Sequence, residues 1–205
     1  MYADLSLRAY LEKTSAGEAV PGGGSVSALA GALGAGLAGM VAGLTAGRKG
    51  FESVEKEMQE DAANAANLME RCLELVDRDP EAYRKVMAAF KLPQHTDSEK
   101  ADRRRAVQEA MEAAARVPLE VAELALEILE LTDRVVRRGN PNAVTDGAVG
   151  ALMARSAGLG AIYNVRINLK SLKDPDRVAT LASRADDLEA RILQIEKKVL
   201  GTAQI

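Results

Sequence analysis

The sequence predicts an all-α fold, an up-and-down bundle of six to seven helices around a central helix rich in glycine and alanine. Three observations carry this. Apolar residues recur at steps of three and four along most of the chain, the period of an amphipathic helix. No stretch alternates apolar and polar residues at the period of two that a half-buried strand requires. Aromatic residues are only 3% of the chain and tryptophan is absent, so the core must be Ala, Leu, Val, Ile and Met, which suits closely packed helices.

Asp4 to Lys13 predicts a short amphipathic helix with Leu5, Leu7 and Leu11 available for burial, and Thr14 to Gly24 a loop. Val26 to Ala46 then runs for 21 residues without a charge. Gly31, Ala35, Gly39, Gly43 and Gly47 recur every fourth position as one smooth ridge. Leu29, Leu33, Leu37 and Val41 form a second ridge on nearly the opposite side. Each glycine costs a helix roughly 1 kcal/mol relative to alanine, so close backbone packing is the expected compensation. A helix apolar all round is a buried helix, and this one is expected to be the innermost element, with Ser25 or Ser27 as N-cap.

Phe51, Val54, Met58, Ala62, Ala65, Met69, Cys72 and Val76 mark the next helix, ending near Asp77. Asp79-Pro80, a capping residue followed by proline, predicts a restart that runs to Phe90. Asp97 or Ser98 is the expected cap of the following helix, where Val107, Ala114, Val121, Ile128 and Val135 fall every seven residues. Pro118 should kink or split it near Ala115. Asn140-Pro141-Asn142 is a turn, and Ala143 to Leu172 predicts a helix loosened around Gly158 and Gly160. Asp174-Pro175 repeats the cap-and-proline start, and an apolar stripe continues from Val178 to Val199.

At 205 residues the chain predicts one domain, residues 1–205, able to bury a full core. A net charge of −3 gives no basic field for nucleic acid. The clusters Arg103-Arg104-Arg105 and Arg134, Arg137, Arg138 predict salt-bridged solvent faces. Cys72 is the only cysteine, which rules out a disulfide within the chain and predicts a reducing, cytoplasmic setting. With one Cys and one His, no Cys/His metal site can form within one chain. Asp4, Arg8 and Glu12 make the N-terminus unlike a secretory signal. The charge-free run is long enough to span a bilayer, but its glycines and alanines carry little transfer energy, so no membrane location is expected.

Candidate site residues stand where polarity departs from the pattern. Gly22, Gly23, Gly24 and Ser25 follow Pro21 and lead into a helix N-terminus, where a ligand oxygen can approach bare backbone amides. A tight turn is the plain alternative. Asn164 and Asn168, four apart, project two amides from one helical face. They suit either a ligand's donors and acceptors or a buried polar pair fixing helix register. Asp146 is a lone carboxylate in an apolar, glycine-flanked stretch, suited to favouring a helix N-terminus or to acid–base or counter-ion work. Along a continuous helix Asp146 and Asn164 would lie roughly 27 Å apart. Either the helix bends near Gly158, or each site combines two subunits, which argues for a homodimer with shared sites. His95, in a connector, is expected to be exposed. No nucleophile elbow, Walker loop or dinucleotide fingerprint is present.

Pro21-Gly22-Gly23-Gly24-Ser25 with its small-residue helix and Arg48-Lys49, Gly139-Asn140 ahead of Asp146, and Asn164-Val165 with Asn168 together resemble the formiminotransferase-cyclodeaminase C-terminal family, stand-alone form. That family includes the free-standing methenyltetrahydrofolate cyclohydrolases of bacteria. The resemblance implies an all-α homodimer with sites at the subunit interface and a tetrahydrofolate derivative as substrate. No cofactor beyond that substrate is implied. Two reactions fall within it: closure of 5-formiminotetrahydrofolate to 5,10-methenyltetrahydrofolate with loss of ammonia, and hydrolysis of the methenyl compound to 10-formyltetrahydrofolate. On this resemblance Asp146 is expected to stabilise the cation or move a proton, and Asn164 and Asn168 to orient the folate head. Gly22 to Ser25 would supply backbone and hydroxyl contacts, Asn140 would join the substrate site, and Arg48 and Lys49 would hold the acidic tail. A non-catalytic helical interaction module is the rival reading.

Overall fold

The computed structural model describes residues 1–203 and contains, among them, six α-helices and no strand. These are α1 (Leu7–Ser15), α2 (Gly23–Gly43), α3 (Glu55–Phe90), α4 (Asp97–Arg138), α5 (Val144–Leu169) and α6 (Pro175–Thr202). Short 3-10 turns at Glu52–Val54 and Pro141–Ala143 lead into α3 and α5. Ion pairs record the directions. Arg78–Glu120, Arg71–Glu127 and Arg134–Asp61 set α3 antiparallel to α4, while Arg184–Glu123, Arg191–Glu130 and Lys198–Asp133 set α6 parallel to α4. The exposed pairs among them add little stability each, while Asp61 and Asp133 are buried; the order of the pairs along the helices fixes an up-and-down path.

α2 lies between α3 and α5 and runs antiparallel to both. Gly31 packs on Cys72 and Ala157, and Gly39 on Ala65. At Gly34 a Cβ would stand 3.0 Å from the Gly150 carbonyl oxygen and 3.1 Å from the Ala154 amide, so α2 and α5 cross backbone to backbone. α4 contributes more buried apolar residues than any other helix, among them Val121, Leu124, Ile128, Leu129 and Leu131.

Several expected elements differ. α2 begins at Gly23, three residues early, and its N-cap is Gly22 with no side-chain cap; the hydroxyls of Ser25 and Ser27 bond elsewhere. α3 does not stop and restart at Asp79-Pro80 but runs 36 residues through Pro80. α4 passes unbroken through Pro118 over 42 residues, and its cap is Thr96, in a reciprocal capping box with Glu99. Helices tolerate an internal proline when another donor meets the carbonyl four residues back, and both prolines here have one.

α2 is also not enclosed all round. Gly24, Ser25, Ala28, Ala32, Ala35, Ala38 and Val41 are buried, but Val26, Leu33, Met40 and Leu44 lie open, Leu33 at 54% exposure. α5 likewise exposes Val149, Leu152, Tyr163 and Ile167, Tyr163 at 67%. The charge-free helix meets the length and composition of a membrane span, with half of that window buried inside the bundle.

Candidate functional site

The N-terminus of α2, the C-terminal third of α3 and the C-terminal end of α5 converge on a groove of about 400 Å³. The bundle's alternating directions bring these together, since α2 and α5 are antiparallel and Gly23 therefore faces Asn164 across the floor. Gly22, Gly23, Gly24 and Asp79 line one side, Asn164, Ile167 and Asn168 another. Tyr83, Val86, Met87, Phe90 and Met111 form an apolar wall, so the groove joins a few polar groups to a flat hydrophobic surface.

Asp79 is the residue that sequence reasoning missed. It is a partly buried carboxylate set against the first turn of α2, in a place where a Cβ on Gly24 would overlap it. Gly24 is therefore required for close approach, not for an unusual turn. Burial lifts the Asp79 carboxyl above its ordinary range, and the backbone amide of Ser25, donating to it, offsets part of that lift. A carboxyl raised by burial and set beside a cavity wide enough for a ligand is a candidate for proton transfer. No local signal marks it: ahead of Pro80 an aspartate reads as a cap, and the helix continues only because Ser25, 51 residues from Val76, supplies the missing donor.

Ser25 does not face the groove. It is fully buried, and its hydroxyl donates to the Val76 carbonyl at 2.7 Å. That proton being committed, the Tyr10 hydroxyl, 2.9 Å away, must donate to Ser25. Burial pushes the Tyr10 phenol upward, which keeps it a donor. The expected hydroxyl contact from Ser25 to a ligand is thus replaced by a contact inside the protein.

Both asparagines reach the groove. The Nδ2 of Asn164 donates to the Gly160 carbonyl at 2.8 Å, and the Nδ2 of Asn168 to the Ala114 carbonyl at 2.8 Å. Neither Oδ1 has a hydrogen-bond donor among the described residues, so two acceptors and the Asp79 carboxyl face the same space. That set is complementary to a ligand edge rich in N–H groups.

The other expected residues lie at the opposite end of α2. Arg48 and Lys49 are exposed just past it, in the turn that Gly47 and Gly50 allow with φ of 71° and 94°. Asn140 is only 4% exposed and its polar groups are occupied. Its backbone amide donates to Thr45 Oγ1, its Nδ2 to the Leu44 carbonyl, and its Oδ1 accepts from the Asn142 amide. It ties the end of α2 to the α4–α5 turn and is not placed to meet a ligand. Asp146 sits in the first turn of α5, in no ion pair among the described residues. α5 is continuous, so Asp146 is separated from Asn164 by five turns, roughly 27 Å. His95 is exposed and outside the groove. Among the described residues no group of three or more His, Cys, Asp or Glu could hold a metal ion.

Comparison with known proteins yields three kinds of similarity. The formiminotransferase-cyclodeaminase family model matches residues 6–187. A methenyltetrahydrofolate cyclohydrolase of Methylorubrum extorquens is 34% identical over 174 residues, 85% of this chain and 84% of that protein. The formimidoyltransferase-cyclodeaminase of Rattus norvegicus is 34% identical over 197 residues, 93% of this chain but only 36% of that longer protein. A formiminotetrahydrofolate cyclodeaminase structure from Thermotoga maritima superposes with a TM-score of 0.89 at 28% identity, covering 98% of this chain and 97% of that one.

Proposed function

The chain belongs to the formiminotransferase-cyclodeaminase family, and from that premise we propose that the groove holds the pterin head of a one-carbon tetrahydrofolate, with Asp79 moving the proton. The observation that carries this is the Asp79 carboxyl, raised by burial and facing the same space as two free amide oxygens and an apolar wall.

The reaction is the closure of 5-formiminotetrahydrofolate. N10 attacks the formimino carbon, giving a tetrahedral carbon between N5 and N10. The N10 proton passes to ionised Asp79 and on to the departing amino group; the C–N bond breaks and ammonia leaves. The positive charge of the formiminium ends on the methenyl bridge, so protons and charge balance. A carboxyl that both takes and returns one proton works best with its pKa moved toward the working pH. Asn164 and Asn168 accept from the N–H groups of the pterin, and the ring lies against the apolar wall. No cofactor beyond the folate is needed for this step.

A second chain completes the site. The exposed apolar residues of α2 and α5 give a second copy a large surface to cover. A two-fold axis across that face lays the Asp146 end of one chain toward the groove of the other. Asp146 then faces the cation, and Arg48 and Lys49 reach the acidic tail. The proposed setting of this homodimer is the cytoplasm.

Hydrolysis of 5,10-methenyltetrahydrofolate is a second reading, favoured by the similarity to the cyclohydrolase over most of both chains. There Asp79 would take a proton from the attacking water. Incubating the purified protein with each substrate and following the methenyl chromophore decides: it appears in cyclodeamination and disappears in hydrolysis. No change with either substrate overturns both readings.

A further inference from the structure

Asn168, which lines the groove, and Ser25, buried next to the groove residue Gly24, share a task that the prolines of α3 and α4 create. Pro80 carries no N–H, so in α3 the carbonyl of Val76, four residues back, lacks its helical donor. Ser25 of α2 supplies one at 2.7 Å. Pro118 does the same to Ala114 in α4, and Asn168 of α5 supplies the donor at 2.8 Å. The arrangement occurs twice, on two different helix pairs, and each donor stands beside the groove: Ser25 follows Gly24, and Asn168 lines the wall.

The geometry points to Ser25 and Asn168 as positioning residues, each completing a helix that a proline has opened and thereby tying two sides of the groove, the start of α2 and the end of α5, to α3 and α4. A proline here is a socket. It leaves one carbonyl free in an otherwise saturated helix, and only a side chain at the correct height on the neighbouring helix fills it. Ser25 holds α3 twice, through its hydroxyl at Val76 and its backbone amide at Asp79, on either side of the gap. This sets the distance between the α2 amides and the Asp79 carboxyl. Asn168 likewise sets how α5, with Asn164, stands against α4. The consequence for turnover rests on the function proposed above; the coupling between proline and donor does not.

Double-mutant cycles test it. Asn168→Ala, Pro118→Ala and the double variant are compared with the parent by urea unfolding. Ser25→Ala with Pro80→Ala is measured in a Tyr10→Phe background, so that no second hydroxyl is stranded. Losing the donor leaves a buried carbonyl unpaired, and each single donor variant should lower the folding equilibrium constant about tenfold or more. In the proline-to-alanine background the new amide takes the carbonyl within its own helix, and the same change should cost less than about threefold. The cross pair, Asn168→Ala with Pro80→Ala, should be additive. Additive effects within the matched pairs overturn the proposal. A donor variant that fails to fold supports it if its matched proline variant restores folding, and refutes it otherwise. In turnover, Pro118→Ala should lower kcat/KM at least fivefold without loss of stability, because it frees α5 while touching no ligand; parental kcat/KM would overturn the positioning role. If Asn168 were a substrate contact alone, its removal would lower activity equally with and without Pro118 and leave unfolding unmoved. Should the parent turn over neither folate, the proposed function fails while the unfolding cycles still decide this one.

Discussion

Asp79→Asn separates catalysis from stability, because the structure assigns the two effects opposite signs. The substitution keeps the shape of the side chain, and its amide oxygen still accepts from the Ser25 backbone. What it loses is the transferable proton, a loss of about 10²- to 10⁴-fold in rate for a general acid–base group, or about 3 to 5 kcal/mol of barrier. Stability moves the other way. Burial raises the folded-state pKa of Asp79 above the ordinary aspartate value of 3.8. Between these two values the folded state holds more protons than the unfolded chain, so this residue's contribution to stability falls as pH rises through that window. Above that window the parent carries the full penalty of a buried charge. Asparagine does not. Thermal unfolding at pH 7 should therefore place Asp79→Asn at or above the parent, and the advantage should vanish at a pH below 3.8. Turnover is followed by the methenyl absorbance. Activity within threefold of the parent, or a lowered Tm at pH 7, would refute the reasoning.

Gly24→Ala places a methyl group where the Asp79 carboxylate lies; overpacking of about 1–3 kcal/mol should lower Tm by several degrees and reduce turnover with it, as differential scanning calorimetry and kinetics would show. Leu33→Glu combined with Tyr163→Glu sets charges on the open apolar face of α2 and α5. Light scattering should find a folded monomer without turnover, and an unchanged mass would remove the interface from that face. Burial raises the Cys72 thiol to about 12, so a thiol reagent at pH 8 should label the protein only in denaturant; stoichiometric labelling of the native protein would contradict the packing of Cys72 on Gly31.

Much of this molecule is legible in its sequence, and the misreadings share a cause. Helical period and caps show the bundle because they are local. Asp174 caps α6, Pro93 follows the end of α3, and Gly31 and Gly39 of the small-residue stripe mark close packing, whereas Gly43 meets nothing within 4 Å and Gly47 lies past the helix. Pro80 and Pro118 read as breaks because the donors that let a helix pass through them, Ser25 and Asn168, come from 51 and 54 residues away. Asp79 was hidden by the same error: next to a supposed break it reads as a cap, and inside a continuous helix it is a carboxyl beside a groove. The asparagines were readable since two amides on an apolar face need partners. The open side of α2 was not, because an apolar surface has the same composition whether its neighbour is in the same chain or another. Asn140, expected as a ligand contact, is bonded within the chain to α2 and its own turn.

Subunit complementation tests the central claim, that each reacting centre joins the groove of one chain to the Asp146 end of another. Asp79→Asn and Asp146→Asn proteins are prepared separately, each inactive, then mixed in equal amounts, unfolded and refolded together. Half of the dimers formed carry one chain of each kind, and in these one of two shared sites is wild type at both positions. The mixture should recover about a quarter of parental turnover. No recovery, with mixed dimers demonstrated by a mass-tagged chain, would place both carboxylates in the same subunit's site or remove one of them from the reaction.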